Sequence, residues 1–392
     1  GIFGILIKIP YKPLIHFLLN CAVHIHFSLS VEGTIIFNIE YLITVILHCF
    51  IFANKMKILK IYLLVLLQVC YSSVFSQYDT TTFNKLSIDT TKNIDTNLLK
   101  NIDFGRGSVL IPNKSRQRIV GYGSAAIYGG MLYTLNKAWY SKYKRSSFHF
   151  YNDNGEWNQV DKVGHAWSVY QLTGASYQAW KWAGASDKKA FLLSGISGPG
   201  FLTVIEILDG FSDKWGFSWG DMGANVLGSG MFIGQQALWK EQRIKFKFSF
   251  HKKNYTDPML ETRANSLFGN NWNERMLKDY NAQSYWLSAN LKSFLPETNI
   301  PKWLNVAVGY GADGMFGGYK NEWTDAQNNL VTRYDIRRMR QFYIAPDVDL
   351  TKIKTKSKFL NTAFYMLNCL KFPAPALMID NTGKIKAHLL YF

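Results

Sequence analysis

The sequence predicts an α+β protein: an apolar bundle of about four helices, followed by an antiparallel β region that contains an amphipathic helix. Three observations carry this. Residues 118–240 are apolar, rich in small residues and divisible into helix-length segments. At about 243 the hydrophobic period switches from 3.6 to 2, in "RIKFKFSFHK". After that switch, short strand-like runs recur near 283–294, 303–310, 338–350 and 384–392, interrupted by the basic stretch "TKSKFLNTAFYMLNCLK" at 355–371.

Taken in order, residues 1–55 are apolar and rich in Ile, Phe and His, without helix caps or clear periodicity. They read as upstream sequence included in front of a start at Met56. The rival reading is a membrane anchor, "TIIFNIEYLITVILHCFIFA", but Glu40 in its middle argues against a span. Residues 56–76, "MKILKIYLLVLLQVCYSSVFS", have the form of a secretory signal: a short basic start, an apolar run, then Val74 and Ser76 before a cut at Gln77. Val69 stands before Cys70 where a lipobox has Gly, Ala or Ser, which argues against lipidation. Cleavage would leave Cys369 as the sole cysteine, so no internal disulfide is expected. Residues 77–117 begin with polar sequence rich in Thr, Asp and Asn and read as a flexible linker.

The bundle is expected at 118–240. Its first segment, "RIVGYGSAAIYGGMLYTLNKAWY", carries Gly121, Ser124, Ala125, Gly129 and Gly130, small residues that would let helices approach closely. Three more helices are expected at 160–183, 187–209 and 218–240, with Asp187 and Ser218 as N-caps. "SGISGPG" should kink or split the third, because Pro199 removes an amide donor. In the β region, 241–392, Ile244, Phe246, Phe248 and Phe250 should line a buried face, with Lys245, Lys247 and Ser249 facing water. Five strands are too few for a closed single-chain barrel, which starts at about 8, so an open sheet is expected unless further strands exist. The terminal Phe392 is the kind of residue that ends outer-membrane proteins.

Formal charge is +17, and residues 77–392 hold +14 of it. An exported basic chain points to anionic lipid or lipopolysaccharide as partner rather than nucleic acid. Lys352, Lys354, Lys356 and Lys358, spaced by two beside the apolar helix, are the candidate membrane contacts.

The polar constellation lies on the helices. Asp161 and His165 are four apart, Glu206 and Asp209 three apart, and Asp221 and Asn225 four apart, each pair on one helical face. Lys162 stands beside the first pair. Carboxylates on apolar helices are costly unless paired or bound to a cation. One reading is a buried network that fixes helix register. The other is a divalent-metal site of His165, Glu206, Asp209 and Asp221, suited to Mn²⁺, Zn²⁺ or Mg²⁺, where acid–base chemistry could act on a lipid headgroup. HExxH and P-loop patterns are absent from the sequence.

"DKVGH", "EILD" and "WGDMGAN…G", in that order, resemble the YfiM-like family, a domain of unknown function described as predicted periplasmic lipoproteins. The resemblance covers about 120–240. "DLTKIKTKSKFL…KFPAPAL…YF" is similar to longer members from Bacteroidetes-type bacteria. A more distant similarity is to VanZ-like membrane proteins, which carry a comparable Asp-Lys-x-x-His, Glu and Asp-x-x-x-Asn series. The resemblance implies an envelope location and assigns no catalytic residues. The expected function is therefore a non-enzymatic structural or assembly component at the periplasm or outer membrane, working with an envelope protein partner. The alternative is a membrane-proximal, metal-dependent hydrolase of lipid or cell-wall substrates.

Overall fold

Local sequence signals set most helix ends. The computed structural model describes residues 112–138, 140 and 143–391, all within one unit that runs from Ile61 to Phe392. The expected upstream segment, the signal peptide, Cys70, linker residues 77–111 and Phe392 lie outside the described residues. Helix α1 spans Lys114–Ala138, α2 Val160–Trp182, α3 Asp187–Gly210 and α4 Trp219–Trp239. Ser218 caps α4 by accepting from the Asp221 amide. The cap of α3 is Ser186, which accepts from the Lys189 amide, not Asp187. Asp187 instead pairs with Lys181 at 2.8 Å. Helix α3 is long and apolar enough to cross a membrane by length and composition.

Two expectations about these helices are corrected. Pro199 does not split α3, which is continuous across it. The carbonyl that lacks an α-helical donor is that of Gly195, four residues back. It accepts the Ser229 hydroxyl of α4 at 3.1 Å, so the neighbouring helix supplies the missing donor. The small residues of α1 do not mediate close packing either: a Cβ on Gly121, Gly129 or Gly130 would meet nothing within 4 Å. Close approach occurs instead at Gly228 of α4, where a Cβ would lie 2.1 Å from the Ala166 carbonyl of α2.

The β region begins with β1, Ile244–Phe250, then two helices outside the sequence reading, α5 (Pro258–Phe268) and α6 (Trp272–Lys278). Asp257 caps α5, with Pro258 in its first turn, where a missing amide is harmless. Next come β2 (Gln283–Asn290), a short α7 (Leu291–Phe294) and β3 (Leu304–Asp313). The strand expected over 283–294 stops at Asn290, whose side chain accepts from the Ser293 amide and starts α7. A small hairpin, β4 (Glu322–Thr324) and β5 (Leu330–Thr332), precedes β6 (Met339–Val348). The amphipathic helix expected over 355–371 is shorter, α8 (Lys358–Leu367), capped by Ser357. Strands β7 (Ala374–Asp380) and β8 (Ile385–Tyr391) follow. β7 was not expected as a strand because its sequence opens with "APA" after Pro373.

All six strands of the main sheet are antiparallel, in the order β1-β2-β3-β6-β7-β8. The sheet curls back on itself. Cys369 and Lys371, in the approach to β7, exchange backbone hydrogen bonds with Phe248 of β1 at 2.9 and 2.8 Å. From β8, the Tyr391 ring reaches Trp286 of β2 with centroids 5.9 Å apart. Helix α2 lies against β1 and β2, where Trp167 packs on Phe248 and Tyr170 on Phe246. The helical and β regions thus share one core, in which Tyr170, Phe232, Phe246, Phe248 and Tyr285 are all buried.

The expectation that the Lys245, Lys247 and Ser249 side of β1 faces water does not hold. Lys247 is fully buried and Ser249 is buried. The curl closes over that side, and Lys247 pairs there with Asp347 of β6 at 2.8 Å.

Candidate functional site

Helices α2 and α4 begin, and α3 ends, at one end of the bundle. That end collects the polar constellation. Three consecutive residues with left-handed backbone, Trp157, Asn158 and Gln159 (φ 48°, 51° and 61°), deliver the chain into α2. Such residues cost roughly 1–2 kcal/mol each without glycine, so other contacts must hold them. The Trp157 amide donates to the Gly318 carbonyl, Tyr310 of β3 donates to the Asn158 carbonyl, and the Gln159 amide side chain bonds the Asn154 carbonyl. This turn also places Asp153 at the site.

At the centre stands the Lys162 ammonium. It lies 2.6 Å from Asp153, 3.3 Å from Asp161 and 2.9 Å from Asp221. Asp161 also accepts the Tyr280 hydroxyl at 2.6 Å, and Asp153 accepts the Ser218 hydroxyl at 2.5 Å. His165 is one turn along α2. Its Nδ1 lies 3.2 Å from the Asn225 amide oxygen and 3.6 Å from Glu206, and its Nε2 lies 3.8 Å from Asp221. Glu206 accepts from the Ser218 amide through Oε2, whereas its Oε1 is buried without a hydrogen bond, as is the Asn225 amide nitrogen. Asp209 stands at the edge and accepts the Tyr140 hydroxyl at 2.8 Å. Gly164, inside "DKVGH", keeps the helix bare where Tyr285 approaches: a Cβ there would lie 2.7 Å from the Tyr285 hydroxyl.

Five carboxyl groups thus meet one lysine and one histidine, and the protonation equilibria divide accordingly. Burial pushes Glu206 up to about 8, with His165 opposing and Asp221 and Asp209 adding to the rise. Burial likewise takes Asp209 up to about 7 and Asp221 up to about 6. Asp161 goes the other way: burial works upward, but the charges on His165 and Lys162 hold it below the usual carboxylate range. For His165 and Lys162, burial works downward and is outweighed by Asp161 and Asp221, so both hold their protons more firmly. The N-termini of α2 and α4 favour the acids in their first turns, whereas Glu206 and Asp209 stand near the negative end of α3. The placement matches the sign of each shift except that of Asp221, where crowding by Asp161 adds to burial.

The structure therefore brings together Asp161, Lys162, His165, Glu206, Asp221 and Asn225, with Asp209 at the margin. Asp153, Tyr140 and Tyr280 escape sequence reasoning because they come from loops and from the β region, and Ser218 is legible there only as the cap of α4. Of the lysines, Lys352 pairs with Glu241 at 3.0 Å, so it is not a free membrane contact. Lys354 and Lys356 are exposed, and the Lys358 side chain lies outside the described residues.

Ligand atoms of Asp161, His165 and Asp221 lie within 4.8 Å of one another, a spacing that one divalent ion could bridge. The Lys162 ammonium already contacts both carboxylates, so an ion there would have to displace it. No curated protein and no solved structure matches the chain. Residues 133–234, which run from the end of α1 through most of α4, match the family model described as predicted periplasmic lipoprotein (DUF2279), and this match supports a periplasmic or envelope location.

Proposed function

We propose that the protein is a non-enzymatic structural or assembly component of the cell envelope, exported by the 56–76 signal to the periplasm or outer membrane, and that the polar cluster fixes the packing of its helices. The observation that carries this is the position of Lys162 among Asp153, Asp161 and Asp221. A partly buried cation held by three carboxylates from two helices and the turn before them already fills the position that a metal would take. Ionic groups of this kind can select one helix register rather than add stability. The metal-dependent hydrolase remains the second reading, favoured by the spacing of Asp161, His165 and Asp221 and by the unbonded Glu206 oxygen.

His165→Ala separates the two. The scaffold reading expects a loss of about 1–3 kcal/mol, because Asn225, Glu206 and Asp221 lose a buried partner. Adding Mn²⁺ or Zn²⁺ should leave the melting temperature of the unmodified protein unchanged. A rise with either metal in the unmodified protein, lost in His165→Ala, overturns the scaffold reading.

A further inference from the structure

The main sheet presents an apolar face to the outside on three of its strands. On β3, β6 and β7, Val306, Val308, Phe342, Ile344, Leu377 and Ile379 point outward and are exposed, Val308, Ile344 and Leu377 by 52, 51 and 54%. They form continuous rows, with Val308 opposite Ile344, Ile344 opposite Leu377, and Phe342 opposite Ile379. The other face of the sheet is closed off and mixed: Trp286, Ala307, Tyr343, Ala345, Ala376 and Met378 form a buried apolar cluster there, beside the buried Lys247, Asp347 and Lys371 with Ser288 and Asn305. A sheet with one face in water turns its charges out and its Ile and Leu in. The observed arrangement suits an apolar exterior.

Exposed lysines flank the apolar rows at both strand ends. Lys302 precedes β3, Lys354 and Lys356 follow β6, Lys384 lies in the β7–β8 turn and Lys386 at the start of β8. We infer that this face seats against one leaflet of an anionic membrane, its aliphatic rows on hydrocarbon and its flanking lysines at the headgroups. Lysines at both ends disfavour a second copy of the chain as occupant, since pairing two such faces sets basic rims against each other.

The test uses the full chain and vesicles of phosphatidylcholine and phosphatidylglycerol. The unmodified protein should bind, and the triple variant Val308→Ser, Ile344→Ser, Leu377→Ser should bind about a hundredfold more weakly at low and high salt alike. Lys354→Gln with Lys356→Gln and Lys384→Gln should weaken binding at low salt only. Should the triple variant fail to fold, Ile344→Trp serves instead: its added emission should be quenched by brominated lipid. Vesicle binding unchanged in the triple variant, an unquenched indole in Ile344→Trp, or a solution dimer that the triple variant converts to monomer would each overturn the inference.

Discussion

The molecule holds two charge clusters, one fully buried in the sheet and one partly buried at the helix ends, and they are built on opposite plans. In the sheet, one carboxylate serves two lysines. Asp347 meets Lys247 at 2.8 Å and Lys371 at 3.5 Å, and it also accepts from the Ser288 hydroxyl and the Phe372 amide. Lys247 donates to the Val348 carbonyl, and Lys371 donates to the carbonyls of Pro346 and Phe372. Every charged end has a partner. In the helices, five carboxyls crowd one lysine and one histidine, and a Glu206 oxygen and the Asn225 amide nitrogen are left without hydrogen bonds. The strand ladder fixes its backbone carbonyls in space, so they can complete a cation's shell. Helix carbonyls are consumed inside the helix, so the bundle must hold its cations with side chains, and its acids with side chains, protons and the free amides at helix starts, as Ser218 does for Glu206.

The sharpest way to break this comparison is Asp347→Ala. It leaves two lysines buried without an anion and should cost about 3–5 kcal/mol, read from the denaturant midpoint. Acidification should not restore it, because the lysines stay charged.

Lys162→Met should cost about 3 kcal/mol by leaving Asp153, Asp161 and Asp221 without their shared cation. Here lowering the pH to about 5 should recover part of the loss, because Asp221 already titrates near about 6 with Lys162 present and rises further without it. Equal responses of the two variants to acid would dissolve the distinction.

The pH profile of the unmodified protein sharpens the contrast further. Glu206 (about 8) and Asp209 (about 7) lie above their unfolded values, so the folded state binds more protons there. Their contribution is present below about pH 4 and is lost as pH rises through 7 to 8, a fall of several kcal/mol at about 1.4 kcal/mol per pH unit for each group. Lys371 runs in the opposite sense. Burial takes it down to about 8, against the pull of Asp347, so the unfolded state binds more protons between about 8 and 10.5 and stability rises with pH in that window. Glu206→Gln should flatten the first limb and leave the second, measured by unfolding at stepped pH.

The smallest expected effect is Ser229→Ala, about 1 kcal/mol from the unpaired Gly195 carbonyl. In a Pro199→Ala background the same change should cost less, because alanine, unlike proline, carries the amide that the helix lacks at this position.

Much of the helical site was legible. Pairs at i, i+3 and i, i+4 fix which side chains share a helical face, and apolar helices with acids on one face must bring those faces together. The cap at Ser218 follows from local chemistry in the same way. The identity of the neutralising group was not legible. That the Lys162 ammonium sits among the acids depends on Asp153, which arrives through a left-handed turn held by Gly318 and Tyr310, more than 150 residues away in sequence. Tyr280 comes from the β region and Tyr140 from beyond α1, and neither has a local signature.

The β region shows where the division falls. Alternation by two determined that Ile244, Phe246, Phe248 and Phe250 share one face of β1 and Lys245, Lys247 and Ser249 the other, because successive Cβ atoms leave a strand in opposite directions. It could not say which face is interior. Helix α2 covers the aromatic side at β1 and β2, and the curl of the sheet, joined through Cys369 and Lys371, closes over the lysine side. Sequence periodicity assigns side chains to faces within one element, whereas burial is set by what other elements bring against each face. That assembly, and with it the outward turn of Val308, Ile344 and Leu377, was decided by the tertiary structure alone.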